Sequence, residues 1–168
     1  MSTPAPDATP EEIYDYLRNQ VLTAAPEGLG IARTKEFGNA WGILMDVISL
    51  EGAVSLVVVA DNTVSVYLQK GGGIIGAGAH VNVRKAAFLY LQEAAQSQDS
   101  MSPAVSFDLP QEGSIKFYIL TYAGILTAEV TEQDLATGEH PLYDLFVSAN
   151  KVLTEIRKVD EKRKNLIQ

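Results

Sequence analysis

At 168 residues, 46% of them hydrophobic, the chain is sized for one domain with a single sizeable core. It contains no cysteine, which excludes disulfides, cysteine metal sites and a thiol nucleophile and fits a reducing compartment. The net charge is −8, concentrated in residues 1–154, where 8 Lys/Arg face 18 Asp/Glu. Such a body repels nucleic-acid phosphates and anionic lipid, so neither nucleic acid nor a membrane is an expected partner.

Residues 1–8, Met1 to Ala8, lack both the basic start and the apolar core of a signal peptide and read as a short disordered leader. No apolar run approaches the roughly 20 residues that span a bilayer. The bacterial cytoplasm is the simplest setting. A single domain is expected over residues 9–168. Thr9-Pro10-Glu11-Glu12 predicts a helix start: Thr9 caps, Pro10 suits the first helical position and Glu12 closes a capping box. Ile13, Leu17, Val21 and Leu22 follow as its apolar stripe, and the helix should end near Ala25. Leu29 to Asn39 is readable as a loop or as an edge strand.

Trp41 to Ser49 predicts a strand. Ala53 to Ala60 is nearly continuous in Val and Leu, the pattern of a strand buried on both faces. Asp61-Asn62 makes the turn, and Thr63 to Leu68 alternates as a half-buried strand. Val81 to Ala95 predicts the second helix, with Val83, Ala87, Leu91 and Ala94 or Ala95 facing inward. After a polar linker at Ser97–Ser100 come expected strands at Val105–Leu109, Ser114–Tyr122 and Ile125–Val130. A third helix starts at Pro141 and carries an apolar stripe to Val159, beyond which Asp160–Lys164 is solvated or docks on a partner.

The order is α-βββ-α-βββ-α, an α+β fold with an antiparallel sheet and helices on one face. The halves echo each other. Leu50–Leu56 resembles Gln111–Phe117 61 residues later, and Gly78-Ala79-His80 resembles Gly138-Glu139-His140 60 residues later. This predicts a βββα duplication, about residues 41–96 and 102–158, around a pseudo-two-fold axis. Each copy alone is marginal for stability, so the copies should share one sheet or core.

Gly71-Gly72-Gly73-Ile74-Ile75-Gly76 satisfies G-x-G-x-x-G between a strand and a helix. A dinucleotide fold needs a parallel βαβ unit, however, and this strand belongs to an antiparallel meander. A Walker lysine is also missing, since Ala79 follows Gly78. The glycines read more simply as a close-packed crossover, or as a hinge presenting Ile74-Ile75 to a partner. The equivalent loop of the second copy, Thr131–Thr137, is acidic and ordinary, so this divergence is one place to look for function. His80 and His140 are the only histidines, each just before a helix. A pseudo-two-fold could bring them together with Glu139 or Asp134, but two histidines on separate helices make a poor ligand set. No metal or cofactor is expected.

No nucleophile motif is present: there is no G-x-S-x-G and no S-x-x-K. Asp46 sits among Ile43-Leu44-Met45 and Val47-Ile48. Buried, it would be a general acid or base with a raised pKa; the plainer expectation places it toward solvent. Trp41, Tyr67, Phe117, Tyr118 and Tyr122 serve equally as sheet residues or interface anchors.

In element order, small size and acidity over residues 10–158 the chain resembles the type III secretion chaperones, small acidic dimers that hold an unfolded segment of a partner. Roadblock and profilin-like modules share a related outline. The resemblance carries no motif and transfers no functional residue. The lack of a catalytic constellation, the acidic surface and the apolar loop lead to the expectation of a non-enzymatic, chaperone-like protein-binding module, a homodimer, using an exposed sheet face, helix two or the Gly71–Gly78 loop. The alternative is a small-ligand binder or enzyme with a pocket between the copies. Candidate contacts on either reading are Gly73, Ile74, Ile75, Gly76, His80 and His140.

Overall fold

The computed structural model describes residues 3–167. The fold is α+β, with a seven-stranded sheet in the order β4-β3-β2-β1-β6-β7-β5 and every neighbouring pair antiparallel. The strands are β1 (Ala40–Ser49), β2 (Gly52–Val59), β3 (Val64–Leu68), β4 (Gly73–Ile74), β5 (Ser102–Pro103), β6 (Ser114–Thr121) and β7 (Gly124–Thr131). The helices are α1 (Pro10–Leu22), α2 (Val81–Gln96), the short α3 (Glu132–Ala136) and α4 (Tyr143–Ile167).

Local signals act as read. The Thr9–Glu12 capping box forms reciprocally. Asn62 makes the β2–β3 turn with φ +72°, a conformation that Asn tolerates. In the expected leader, the Ala8 N–H donates to Ala5 O and closes a turn; Met1 and Ser2 lie outside the described residues. Leu29–Asn39 holds no strand: a 3-10 turn at Pro26–Leu29 leads into a loop.

The helices do not share one face. α2 and α4 pack together over Ile43, Met45, Leu56, Val58, Phe117 and Ile119. α1 lies on the opposite side, over Trp41, Leu44, Val57, Tyr118 and Leu120. The cause is in β1 and β2, which are apolar on both sides and need cover on both. Val105–Leu109 is not a strand either. The proline in β5 removes a backbone donor, and the chain leaves the sheet. It then folds over the α1 side of β6, with Phe107 edge-on to Tyr118 at 5.9 Å and the Tyr118 hydroxyl donating to Asp108 O at 2.5 Å.

The second half does not repeat the first. β1 runs antiparallel to both β2 and β6, so β2 and β6 are parallel. Their hairpins step away from β1 in opposite directions, to β3 on one side and β7 on the other. A rotation laying β2–β3 on β6–β7 would turn the sheet over and carry α2 to the face opposite α4. Both helices occupy one core, so no pseudo-two-fold relates the halves. β5 also pairs with β7, where a copy of β1 would pair with β6. The echo in sequence has a packing cause. Val54, Leu56 and Val58, like Ile115, Phe117 and Ile119, enter the same core at alternate positions of a strand.

The Gly71–Gly78 crossover is close-packed. Gly73 adopts φ +132° and lies against the Val66 carbonyl, while Gly78 lies against the Asn62 carbonyl with no room for a Cβ. Gly78→Ala should therefore lower the unfolding free energy in urea by about 1–3 kcal/mol. Gly28→Ala, with open space at its Cβ, should change it by less than about 0.5 kcal/mol.

Candidate functional site

Asp46 is not on an open face. It lies at the middle of β1, between Ser55 of β2 and Lys116 of β6 in register, and is 0% exposed beneath α1. Tyr14 and Arg18, one helical turn apart, reach down to it. Arg18 donates to Asp46 Oδ2 from Nη2 at 2.7 Å and from Nε at 3.1 Å. The Ser55 hydroxyl donates to Asp46 Oδ1 at 2.5 Å. With that proton committed, the Tyr14 hydroxyl is the donor in its 2.6 Å bond to Ser55 Oγ. The Arg18 guanidinium also stands over the Tyr118 ring, 5.6 Å from its centre.

Burial pushes the Asp46 carboxyl above its ordinary pKa, and Arg18, Ser55 and Lys116 offset this only in part. Burial opposes the Arg18 charge, but the hydrogen bonds and charge of Asp46 outweigh it and hold the guanidinium protonated. Tyr14 is pushed up to about 12, first by burial and then by the Asp46 charge. A raised carboxyl pKa is a mark of general acids and bases. Here both carboxylate oxygens are occupied and sealed from solvent, so the cluster fastens α1 to the sheet and offers no access to a substrate.

The candidates from sequence scatter. Gly73 and Ile74 form the edge strand β4, Ile75 is 72% exposed, and Gly76 makes a left-handed turn. His80 holds the N-cap position of α2, with no hydrogen bond from its side chain to the helix. His140 stands before α4, its Nδ1 accepting the Leu142 N–H at 3.0 Å. His80 borders a groove with Glu155–Leu166 of α4, so the start of α2 meets the end of α4. The histidines thus sit at opposite ends of the helix pair, on the order of 20 Å apart along α4. His140 lines neither of two spaces that His80 borders. Ile74, Ile75, Gly76 and His80 together border a recess of about 70 Å³, below the usual ligand range. The groove at the end of α4, about 730 Å³, is lined by charges of both signs. Among the described residues no cluster of three or more His, Asp or Glu could hold a metal. Among them, too, no helix is long and apolar enough to cross a membrane.

The outer face of α2 stands out instead. Val81, Phe88 and Leu89 are exposed beside Arg84 and Lys85, and Phe88 rests on Phe37 with ring centres 5.1 Å apart. With Asn62, Arg84, Lys85, Phe88 and Leu89 border a shallow depression of about 550 Å³. No family model matches the sequence, and neither a curated protein nor a solved structure matches it.

Arg18→Met should destabilise the fold by about 3–5 kcal/mol at neutral pH, because it strands the Asp46 carboxylate. Its folded pKa, already above the unfolded value, rises further without Arg18. The variant is then most stable below the unfolded pKa and loses stability as pH rises through the folded one. Urea titrations should show the gap from wild type shrinking as pH falls toward 4, while Arg18→Met/Asp46→Leu recovers most of the loss.

Proposed function

We propose that the protein is a non-enzymatic protein-binding module that works as a homodimer joined through the outer face of α2. The carrying observation is the order of side chains along one ridge of that helix: Val81, Lys85, Leu89 and Glu93, spaced four apart. Two copies of α2 packed antiparallel about Leu89 set Lys85 of each opposite Glu93 of the other. Such a surface is complementary to itself, as a two-fold interface requires. The apolar centre, Phe88 and Leu89, adds area beside the shallow depression. Other routes to association are weaker. Both sheet faces carry cover, and the edge strands β4 and β5 have two residues each.

The resemblance to type III secretion chaperones supports this reading, because those proteins are small acidic dimers that hold an unfolded segment of a partner. A bacterial cytoplasmic setting belongs to the same proposal, in line with a chain that has no cysteine to oxidise. Asp46, the carboxylate that burial pushes up, is sealed and fully paired, which argues against an enzymatic reading.

Light scattering after size exclusion should give twice the chain mass for wild type at micromolar concentration. Leu89→Asp should give the monomer mass with an unchanged circular dichroism spectrum. Lys85→Glu alone should weaken the dimer about tenfold, and Lys85→Glu/Glu93→Lys should restore it. A wild type that stays monomeric, or an Leu89→Asp dimer of wild-type affinity, overturns the proposal.

A further inference from the structure

Two α2 helices alone make a small interface. A 16-residue helix is about 24 Å long and presents a strip about 10 Å wide, a few hundred Å² per copy. Stable interfaces bury roughly 800 Å² per partner. The remainder of a dimer built on α2 must come from surface that continues its ridge. Val81, the first residue of that ridge, is also a wall of the groove of about 730 Å³ between the start of α2 and the end of α4. His80 and Asn82 line the same groove, together with Lys158, Lys162 and Arg163 of α4.

This end of the molecule differs in charge from the body. Residues 157–168 carry 5 Lys/Arg and 2 Asp/Glu, a net of +3, whereas residues 1–156 carry 8 Lys/Arg and 19 Asp/Glu, a net of −11. Lys158 is held by Glu155 at 3.1 Å, and Lys164 by Asp160 at 3.0 Å. Among the described residues Lys162 and Arg163 have no carboxylate partner, and the groove sets only one unpaired carboxylate, Glu161, against these two cations. The groove is one carboxylate short. α2 also lacks charges that answer its own dipole, with no acidic residue in its first turn and no basic residue in its last.

Antiparallel pairing about Leu89, which sets Lys85 opposite the partner's Glu93, also sets Val81 opposite the partner's Ser97 and His80 opposite the partner's Gln98. The 3-10 turn Gln98–Ser100 follows α2 directly, and Asp99 within it is exposed. With α2 as the dimer face, a reading on which this step rests, we infer that the groove receives the partner's Gln98–Ser100 turn and that the partner's Asp99 pairs with Lys162 and Arg163. The exchange is reciprocal, so both grooves fill at once. It brings a carboxylate to the start of each α2 and a basic α4 end to the close of the other α2, the signs that the helix dipole favours.

A carbodiimide joins a lysine to a carboxylate that it touches. Applied to dimers mixed from ¹⁵N-labelled and unlabelled chains, it should give an Asp99–Lys162 peptide pair of mixed isotope. Lys162→Glu/Arg163→Glu reverses four charges per dimer and should weaken association at least tenfold in analytical ultracentrifugation. Asp99→Lys should weaken it in the same direction, and the three changes joined in one chain should restore it. All three positions are exposed, so the circular dichroism spectrum should not change. A dimer that Leu89→Asp breaks but Lys162→Glu/Arg163→Glu leaves at wild-type affinity overturns this inference alone and leaves the α2 face standing. A monomeric wild type overturns both. Lys162 cross-links confined to its own chain also overturn the groove exchange.

Discussion

The fold depends on one ion pair placed where charges are costly. Asp46 stands at the centre of the central strand, and Arg18 pairs with it from above. Removing both ions from water costs several kcal/mol each, and attraction at 2.7 Å recovers this only with good geometry and full hydrogen bonding. Both conditions are met: the guanidinium donates twice, and Ser55 occupies the other carboxylate oxygen. The cluster adds direction more than strength. An apolar helix could slide along an apolar sheet, whereas Arg18 and Tyr14 fit over Asp46 and Ser55 in one register.

That register positions the rest of the α1 face. With Arg18 fixed, the last turn of α1 is carried to the ends of β1 and β2, and the chain must turn at Pro26–Leu29 to return to Ala40. The gap left beneath that turn is a cavity of about 500 Å³ against Trp41. The other face is closed by α2 and α4, and α2 is left with its remaining side toward solvent. A two-sided sheet with two-residue edges therefore leaves a helix surface, rather than a long strand edge, facing solvent.

Much of the fold was legible because it is written in local signals. The capping box at Thr9, the Asn62 turn and the β-forming runs of β3, β6 and β7 each act within a few residues. What stayed hidden was long-range. The stripe Ile13, Leu17, Val21 and Leu22 is a fair helical pattern, yet the fully buried side of α1 is Tyr14, Arg18 and Leu22, and Ile13 is 41% exposed. No window of α1 reveals that an arginine faces inward, because its partner lies 28 residues away on another element. Two signals did exist. The apolar neighbours of Asp46 and the unbroken apolar run of β2 both asked for a second covering layer, and a sheet covered on both sides leaves Asp46 no open face.

The candidate residues scatter for a related reason. Glycines and histidines draw attention as chemistry, but in this chain the glycines make room for carbonyls at Val66 and Asn62, and His140 serves its own helix entry. The apparent repeat implied an axis that would bring His80 and His140 together, whereas they stand at opposite ends of the α2–α4 pair. Strands that feed one core from the same side must alternate in the same way, so two hairpins resemble each other whether or not they share an origin. The α2 surface, by contrast, could be found by subtraction. Once Val83, Ala87, Leu91 and Ala94 are assigned to the core, the helix geometry turns Val81, Phe88 and Leu89 outward. Three large apolar residues on a solvent face, in a chain whose body is strongly acidic, are harder to account for by solubility than any glycine in the crossover.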